Sequence, residues 1–162
     1  MRLAVAVSII ALGASAASAS PEPRKLDMLA FFSGKTHAEN IMKIALKRPS
    51  RLIVDSVGAR KGNEFVLVDT VREEGKPVRT RTWVMRPAGP NRYIGTLSDA
   101  VGPVHVSQEG SGARIRYTMK GGLKIDQRLE LHGDGKTLSS QVVVRKFGLK
   151  FASVEGKIRK LD

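Results

Sequence analysis

Asp69, Arg79, Arg81 and Asp99 are the residues whose types and spacing suggest chemistry, and they are interleaved with Trp83, Met85 and Tyr93 at odd-numbered positions. In an extended strand, residues two apart share a face, so such a set lies on one side of a sheet. Acids and arginines together on that face can neutralise one another in a structural ion-pair network. Alternatively they can anchor the head of an amphipathic ligand whose tail lies along Trp83, Met85 and Tyr93. Asp69 and Asp99 could also do acid–base work, as in an isomerase or hydrolase. An arginine facing each acid would hold it ionised, however, and an ionised acid is a poor proton donor near neutral pH.

What must position these side chains is a pair of hairpins. A three-residue loop over residues 74–76 sets Val71 opposite Arg79, Asp69 opposite Arg81, Leu67 opposite Trp83 and Phe65 opposite Met85. The apolar members mark this face as inward, which makes Asp69 and Arg81 an internal charge pair. On that expectation, Arg81→Ala strands a buried acid and costs about 3–5 kcal/mol. Placing Arg86 opposite Arg92 in the next hairpin sets Met85 against Tyr93, Trp83 against Gly95, Arg81 against Leu97 and Arg79 against Asp99. Gly95 would then leave room for the indole. A further hairpin over residues 110–112 pairs Ser107 with Ile115 and His105 with Tyr117, adding His105 and Tyr117 to the inward set.

The same rhythm of short alternating segments and Gly- or Pro-containing turns runs from Lys35 to the end of the chain. It predicts strands over residues 35–47, 51–61, 64–73, 78–86, 92–98, 104–109, 113–120, 123–132, 137–147 and 150–159. Parallel pairing would need crossovers of about a dozen residues, and the links are far shorter. The expected fold is all-β: an antiparallel up-and-down meander of roughly nine or ten strands, curled into a barrel.

Ahead of the strands, Arg2, the apolar run over residues 3–12 and the small residues Ala17-Ser18-Ala19 read as a signal peptide cleaved after Ala19. That run is shorter than the roughly 20 apolar residues a membrane span needs, so no transmembrane segment is expected. Residues 20–34 read as an extended lead-in and a short apolar helix over 26–32 that caps one barrel end, and residues 35–162 as a single barrel domain. The product would be periplasmic or secreted. The chain has no cysteine, which excludes disulfides, thiol nucleophiles, thiolate metal sites and a lipoprotein anchor.

With 28 Lys and Arg against 15 Asp and Glu, the net charge is +13, one unit less if Arg2 leaves with the leader. A field of this sign favours anionic small molecules or an anionic envelope surface. Nucleic acid is not expected, because the cations are dispersed and only 5% of residues are aromatic. No nucleophile elbow, zinc-protease helix or phosphate-binding glycine loop is present, so no enzyme activity is expected. His37, His105 and His132 fall in separate strands, and neither a metal site nor a cofactor is expected.

Several stretches, taken together, resemble a bacterial family catalogued as domain of unknown function 3833. They are Leu26-Asp27 through Phe31-Phe32-Ser33-Gly34-Lys35, Arg81-Thr82-Trp83-Val84-Met85-Arg86, residues 93–102, Arg116-Tyr117 and Lys146-Phe147-Gly148-Leu149-Lys150. The resemblance implies a lipocalin-like (calycin-type) envelope barrel, often carried as a lipoprotein, with an acid near Asp69, the Arg81-x-Trp83 pair and an acid at Asp99 as landmarks. The missing cysteine favours a soluble periplasmic form. Two functions follow as expectations. One is a barrel that binds a lipid-like or anionic small molecule; the other is an envelope interaction protein with a filled barrel and a basic exterior.

Overall fold

Ten antiparallel strands close into one barrel in the computed structural model, which describes residues 23–161. The expected leader over residues 1–19 lies outside the described residues. In chain order the elements are α1 (Met28–Phe32), β1 (Gly34–Ile44), β2 (Ser50–Lys61), β3 (Glu64–Glu73), β4 (Arg79–Pro87), β5 (Arg92–Leu97), β6 (Ala100–Glu109), β7 (Gly112–Met119), β8 (Leu123–Leu131), β9 (Thr137–Lys146) and β10 (Leu149–Lys160). Every strand pairs with its sequence neighbour, and β10 closes the cylinder on β1 from Thr36↔Lys160 to Ile44↔Ala152. Closure removes the free edges that would invite another chain.

The helix is shorter than the sequence pattern suggests, five residues instead of seven. Asp27 caps it by accepting the Ala30 N–H at 3.0 Å. Leu26, still extended, donates its backbone N–H to the Gly110 carbonyl at 2.8 Å, which ends any helical turn there. At the other end the Lys160 ammonium donates to the carbonyls of Ala30 and Phe31 at 3.1 and 3.0 Å, satisfying groups the helix leaves open. This helix plugs one end of the barrel. Leu26, Met28 and Phe31 are buried there with Phe65, Met85 and Ile158. The hairpins β1–β2, β3–β4, β5–β6, β7–β8 and β9–β10 all lie at the opposite end, the mouth, because consecutive antiparallel strands reverse direction.

The first inferred register is the observed one: Phe65↔Met85, Leu67↔Trp83, Asp69↔Arg81 and Val71↔Arg79. The second is displaced by two residues. Trp83 faces Leu97, Met85 faces Gly95 and Pro87 faces Tyr93. Proline invites assignment to the turn, but here Pro87 ends the strand and Ala88 donates to Arg92 at 2.9 Å. Because bonded and non-bonded pairs alternate along an antiparallel ladder, Pro87 falls at a non-bonded pair where its missing N–H costs nothing. A shift of two keeps the face, so Tyr93, Gly95 and Leu97 remain inward. Gly95, though, makes room for Met85 and not for the indole: a Cβ there would stand 2.7 Å from Met85 Sδ and 1.9 Å from the Val84 carbonyl oxygen.

The third register is corrected by one residue, which reverses the face. The β6–β7 turn has two residues, Gly110 (φ 56°) and Ser111, so Val106 faces Ile115 and His105 faces Arg116. His105 is therefore exposed on the outer wall while Val104 and Val106 are buried. It is not part of the interior.

Candidate functional site

Inside the barrel lies a cavity of about 400 Å³ that runs from Met28, Leu29 and Phe32 of the plug to Ile44, Lys76 and Phe151 at the mouth. Its walls are mostly apolar, with a polar cluster on the adjacent strands β2, β3 and β4 that Tyr117 of β7 joins across the interior. Asp69, Arg79, Arg81, Trp83, Tyr93 and Tyr117 all border it, as the sequence reading placed them; His105 does not.

The cluster is wired differently from the expected Asp69–Arg81 ion pair. Asp69 is 6% exposed and its two oxygens accept from neutral donors, the Ser56 hydroxyl and the Trp83 indole N–H, each at 2.7 Å. Arg81 turns instead to Asp99, its Nε 2.9 Å from Oδ2, and its Nη2 donates to the Tyr117 hydroxyl at 3.1 Å. Arg79 joins Asp99 from the more exposed side at 3.3 Å. The Trp83 and Tyr117 rings meet edge to face at 5.5 Å, and the Arg81 guanidinium carbon lies 5.3 Å from the indole centroid. Asp99, 27% exposed, stands behind the arginines and is not itself a wall of the cavity.

This wiring sets the charges. Burial pushes the Asp69 carboxyl above its ordinary value; the bonds from Trp83 and Ser56 and the charge of Arg81 pull it back without cancelling that push. The facing arginine therefore lowers the Asp69 carboxyl, as expected, but by less than burial raises it. Burial likewise raises Tyr117, so its phenol stays protonated. Burial opposes the charge on Arg81, but Tyr117, Asp99 and Asp69 outweigh it and hold the guanidinium charged. Among the described residues, no acceptor is seen for Arg81 Nη1, and the one buried side-chain polar atom without a partner is Thr36 Oγ1. Arg81 lines the cavity, and its Nη1 is left without a protein partner seen among the described residues. The Tyr117 hydroxyl, which accepts from Arg81, keeps its own proton to give.

Ser56 is the participant that sequence reasoning missed. The signal was present: the two-residue turn Gly62-Asn63 pairs Lys61 with Glu64, and counting back along that ladder puts Ser56 opposite Asp69. Gln127 and Ser140, bonded at 3.0 Å on the facing wall, were also missed. Among the described residues no group of three or more His, Cys, Asp or Glu could hold a metal ion, and no helix is long and apolar enough to cross a membrane.

Asp69→Asn tests the state of this acid. The amide can accept from Trp83 and donate to Ser56, so the network survives. Because Asp69 is raised, the native state binds more protons than the unfolded chain between the ordinary value of 3.8 and its higher folded value. Its contribution to stability is present below that window and is lost as pH rises through it. Denaturant titrations across pH should therefore show Asp69→Asn gaining stability relative to the parent as pH rises. A difference that does not change with pH overturns the assignment.

The comparisons agree with this architecture. An S-type phycobiliprotein lyase, CPES, from Guillardia theta superposes with a TM-score of 0.65 at 6% identity, over 83% of this chain and 90% of that one. Rv2717c from M. tuberculosis superposes with a TM-score of 0.60 at 15% identity, over 83% of this chain and 95% of that one. At such identities the likeness is one of fold. No curated protein matches the sequence. The family described as protein of unknown function (DUF3833) matches residues 7–160, almost the whole length, and the chain belongs to that family.

Proposed function

We propose that this is an exported binding protein whose barrel holds an amphipathic molecule, with its anionic head on Arg81 and Tyr117 and its tail along the apolar wall toward the mouth. The observation that carries the reading is the half-buried, charged Arg81, with no partner of Nη1 seen among the described residues, beside an apolar cavity of about 400 Å³. A few convergent polar groups in a mostly apolar concavity are the usual make-up of a small-molecule site. The tail would lie on Met42, Leu52, Met119, Leu123 and Val144, which are half-buried, whereas Met85 is already packed into the core. The cavity favours this reading over a filled barrel. Export rests on the leader-like pattern of Arg2, the following apolar run and Ala17-Ser18-Ala19.

Native mass spectrometry of protein purified from its own cell envelope is expected to show a retained lipid-like mass. Protein that emerges bare, and whose melting temperature no lipid extract raises, would move the assignment to an envelope interaction protein without a ligand.

A further inference from the structure

The two ends of the barrel differ sharply in surface chemistry. At the mouth, Leu46 in the β1–β2 turn is fully exposed, Phe147 and Leu149 at the β9–β10 turn are 91% and 74% exposed, and Val78 and Val101 stand out beside them. The turns at the plugged end, Gly62-Asn63, residues 88–91 and Gly110-Ser111, carry no large exposed apolar side chain, although Leu161, just past β10 at that end, is 50% exposed. Two of the mouth residues also sit on unsuitable backbone. Leu46 (φ 64°) and Phe147 (φ 51°) occupy the left-handed region, where glycine or asparagine is the ordinary tenant. A bulky apolar side chain there strains the turn, and apart from the Lys146 ammonium 5.7 Å from the Phe147 ring centroid, exposure returns little to the free protein.

Cations surround these tips. Lys47, Arg48, Lys120, Lys124, Lys146 and Lys150 are exposed on the same end, and none takes part in an ion pair seen among the described residues. The acids of that end are already engaged. Glu73 pairs with Lys76 at 2.6 Å, Glu74 accepts the Arg51 N–H at 3.3 Å, and Asp99 serves Arg79 and Arg81. Apolar tips within a ring of unneutralised lysines and arginines match a surface with anionic headgroups above an apolar interior.

We infer that the mouth docks on an anionic lipid bilayer, with Leu46, Phe147 and Leu149 entering the interface and the surrounding lysines lying on the headgroups. The cavity then opens directly onto the membrane. This extends the proposed lipid-like cargo by giving it a route of entry, but it stands on separate observations.

The chain has no cysteine, so an environment-sensitive fluorophore can be placed at will on the form of the protein the cell yields. A fluorophore on Leu149→Cys should brighten and shift to the blue with vesicles containing phosphatidylglycerol, respond little to phosphatidylcholine alone, and weaken as salt rises. The same probe on Asn91→Cys, at the plugged end, should stay silent. The double variant Leu46→Asn, Phe147→Asn should bind these vesicles roughly tenfold more weakly or worse, with a melting temperature no lower than the parent's, since asparagine suits both turns. No anion-dependent response at position 149, or undiminished vesicle binding by the double variant, overturns the inference. Docking by a protein whose cavity retains no lipid would uphold the surface and remove the cargo. A lipid-loaded protein that ignores vesicles would do the reverse.

Discussion

Alanine in place of Gly58 is expected to destabilise the protein by about 3 kcal/mol, the upper part of the range for forcing extra atoms into a packed core. Gly58 lies in β2, opposite Gly34 on one side and Leu67 on the other, with its missing side chain directed inward at the plug. A Cβ there would stand 2.1 Å from the Phe32 carbonyl oxygen, 2.7 Å from the Phe65 ring and 3.1 Å from Leu67 Cδ1. A ring edge could swing aside, but the carbonyl belongs to the end of α1, so the helix must lift. Lifting it pulls Met28 and Phe31 from the core and weakens the Lys160 contacts to the Ala30 and Phe31 carbonyls. The loss should appear as a fall in melting temperature of about 10 °C. Gly133→Ala serves as the control, because nothing lies within 4 Å of a Cβ built there; it should change stability by less than about 0.5 kcal/mol. Equal behaviour of the two variants would mean that α1 does not seat on Gly58.

How much of this was legible in the sequence differed between hairpins, for reasons that particular residues expose. The Glu74-Gly75-Lys76 link and the apolar partners Phe65, Leu67, Trp83 and Met85 agreed on one register, and the structure has it. At β4–β5 the local signal was ambiguous, because a proline can open a turn or close a strand at a non-bonded pair. The resulting error was two residues, harmless to the face but not to the partners: Asp99 comes to Arg81, with Arg79 on its flank. At β6–β7 a two-residue turn read as three turned His105 outward. Strand pairing alone could not reveal the wiring of the acids. Asp69 and Arg81 are cross-strand partners by backbone, yet a long guanidinium reaches past its neighbour, while a short carboxylate takes the nearest donors, Ser56 and Trp83. Register specifies which backbones are opposite; side-chain length decides which heads meet.

That rewiring changes what Arg81 is expected to do. Removing it no longer strands Asp69, which keeps Ser56 and Trp83, and Asp99 retains Arg79 and 27% exposure. The stability cost should therefore be about 1–2 kcal/mol, the scale of a partly exposed charged hydrogen bond, and not the larger penalty of an orphaned buried acid. The larger effect belongs to binding. Its unengaged Nη1 and the Tyr117 hydroxyl are the donors available to an anionic head, and a charge-assisted hydrogen bond in an apolar site contributes about 1.5–3 kcal/mol. Arg81→Met, which keeps the stem but not the charge, should weaken binding of a fatty acid roughly 100-fold. Binding of the fatty alcohol of equal chain length should hardly change. The reporter is built in, because Trp83 is the sole tryptophan and borders the cavity. An anion held by Arg81 also disfavours ionised Asp69, so binding of an alkyl sulfonate, whose head does not titrate, should tighten as pH falls through the raised Asp69 titration. Asp69→Asn should abolish that pH dependence and bind more tightly above it. Equal losses for acid and alcohol in Arg81→Met would reduce Arg81 to a structural brace between Asp99 and Tyr117, because a positioning role cannot distinguish the two heads.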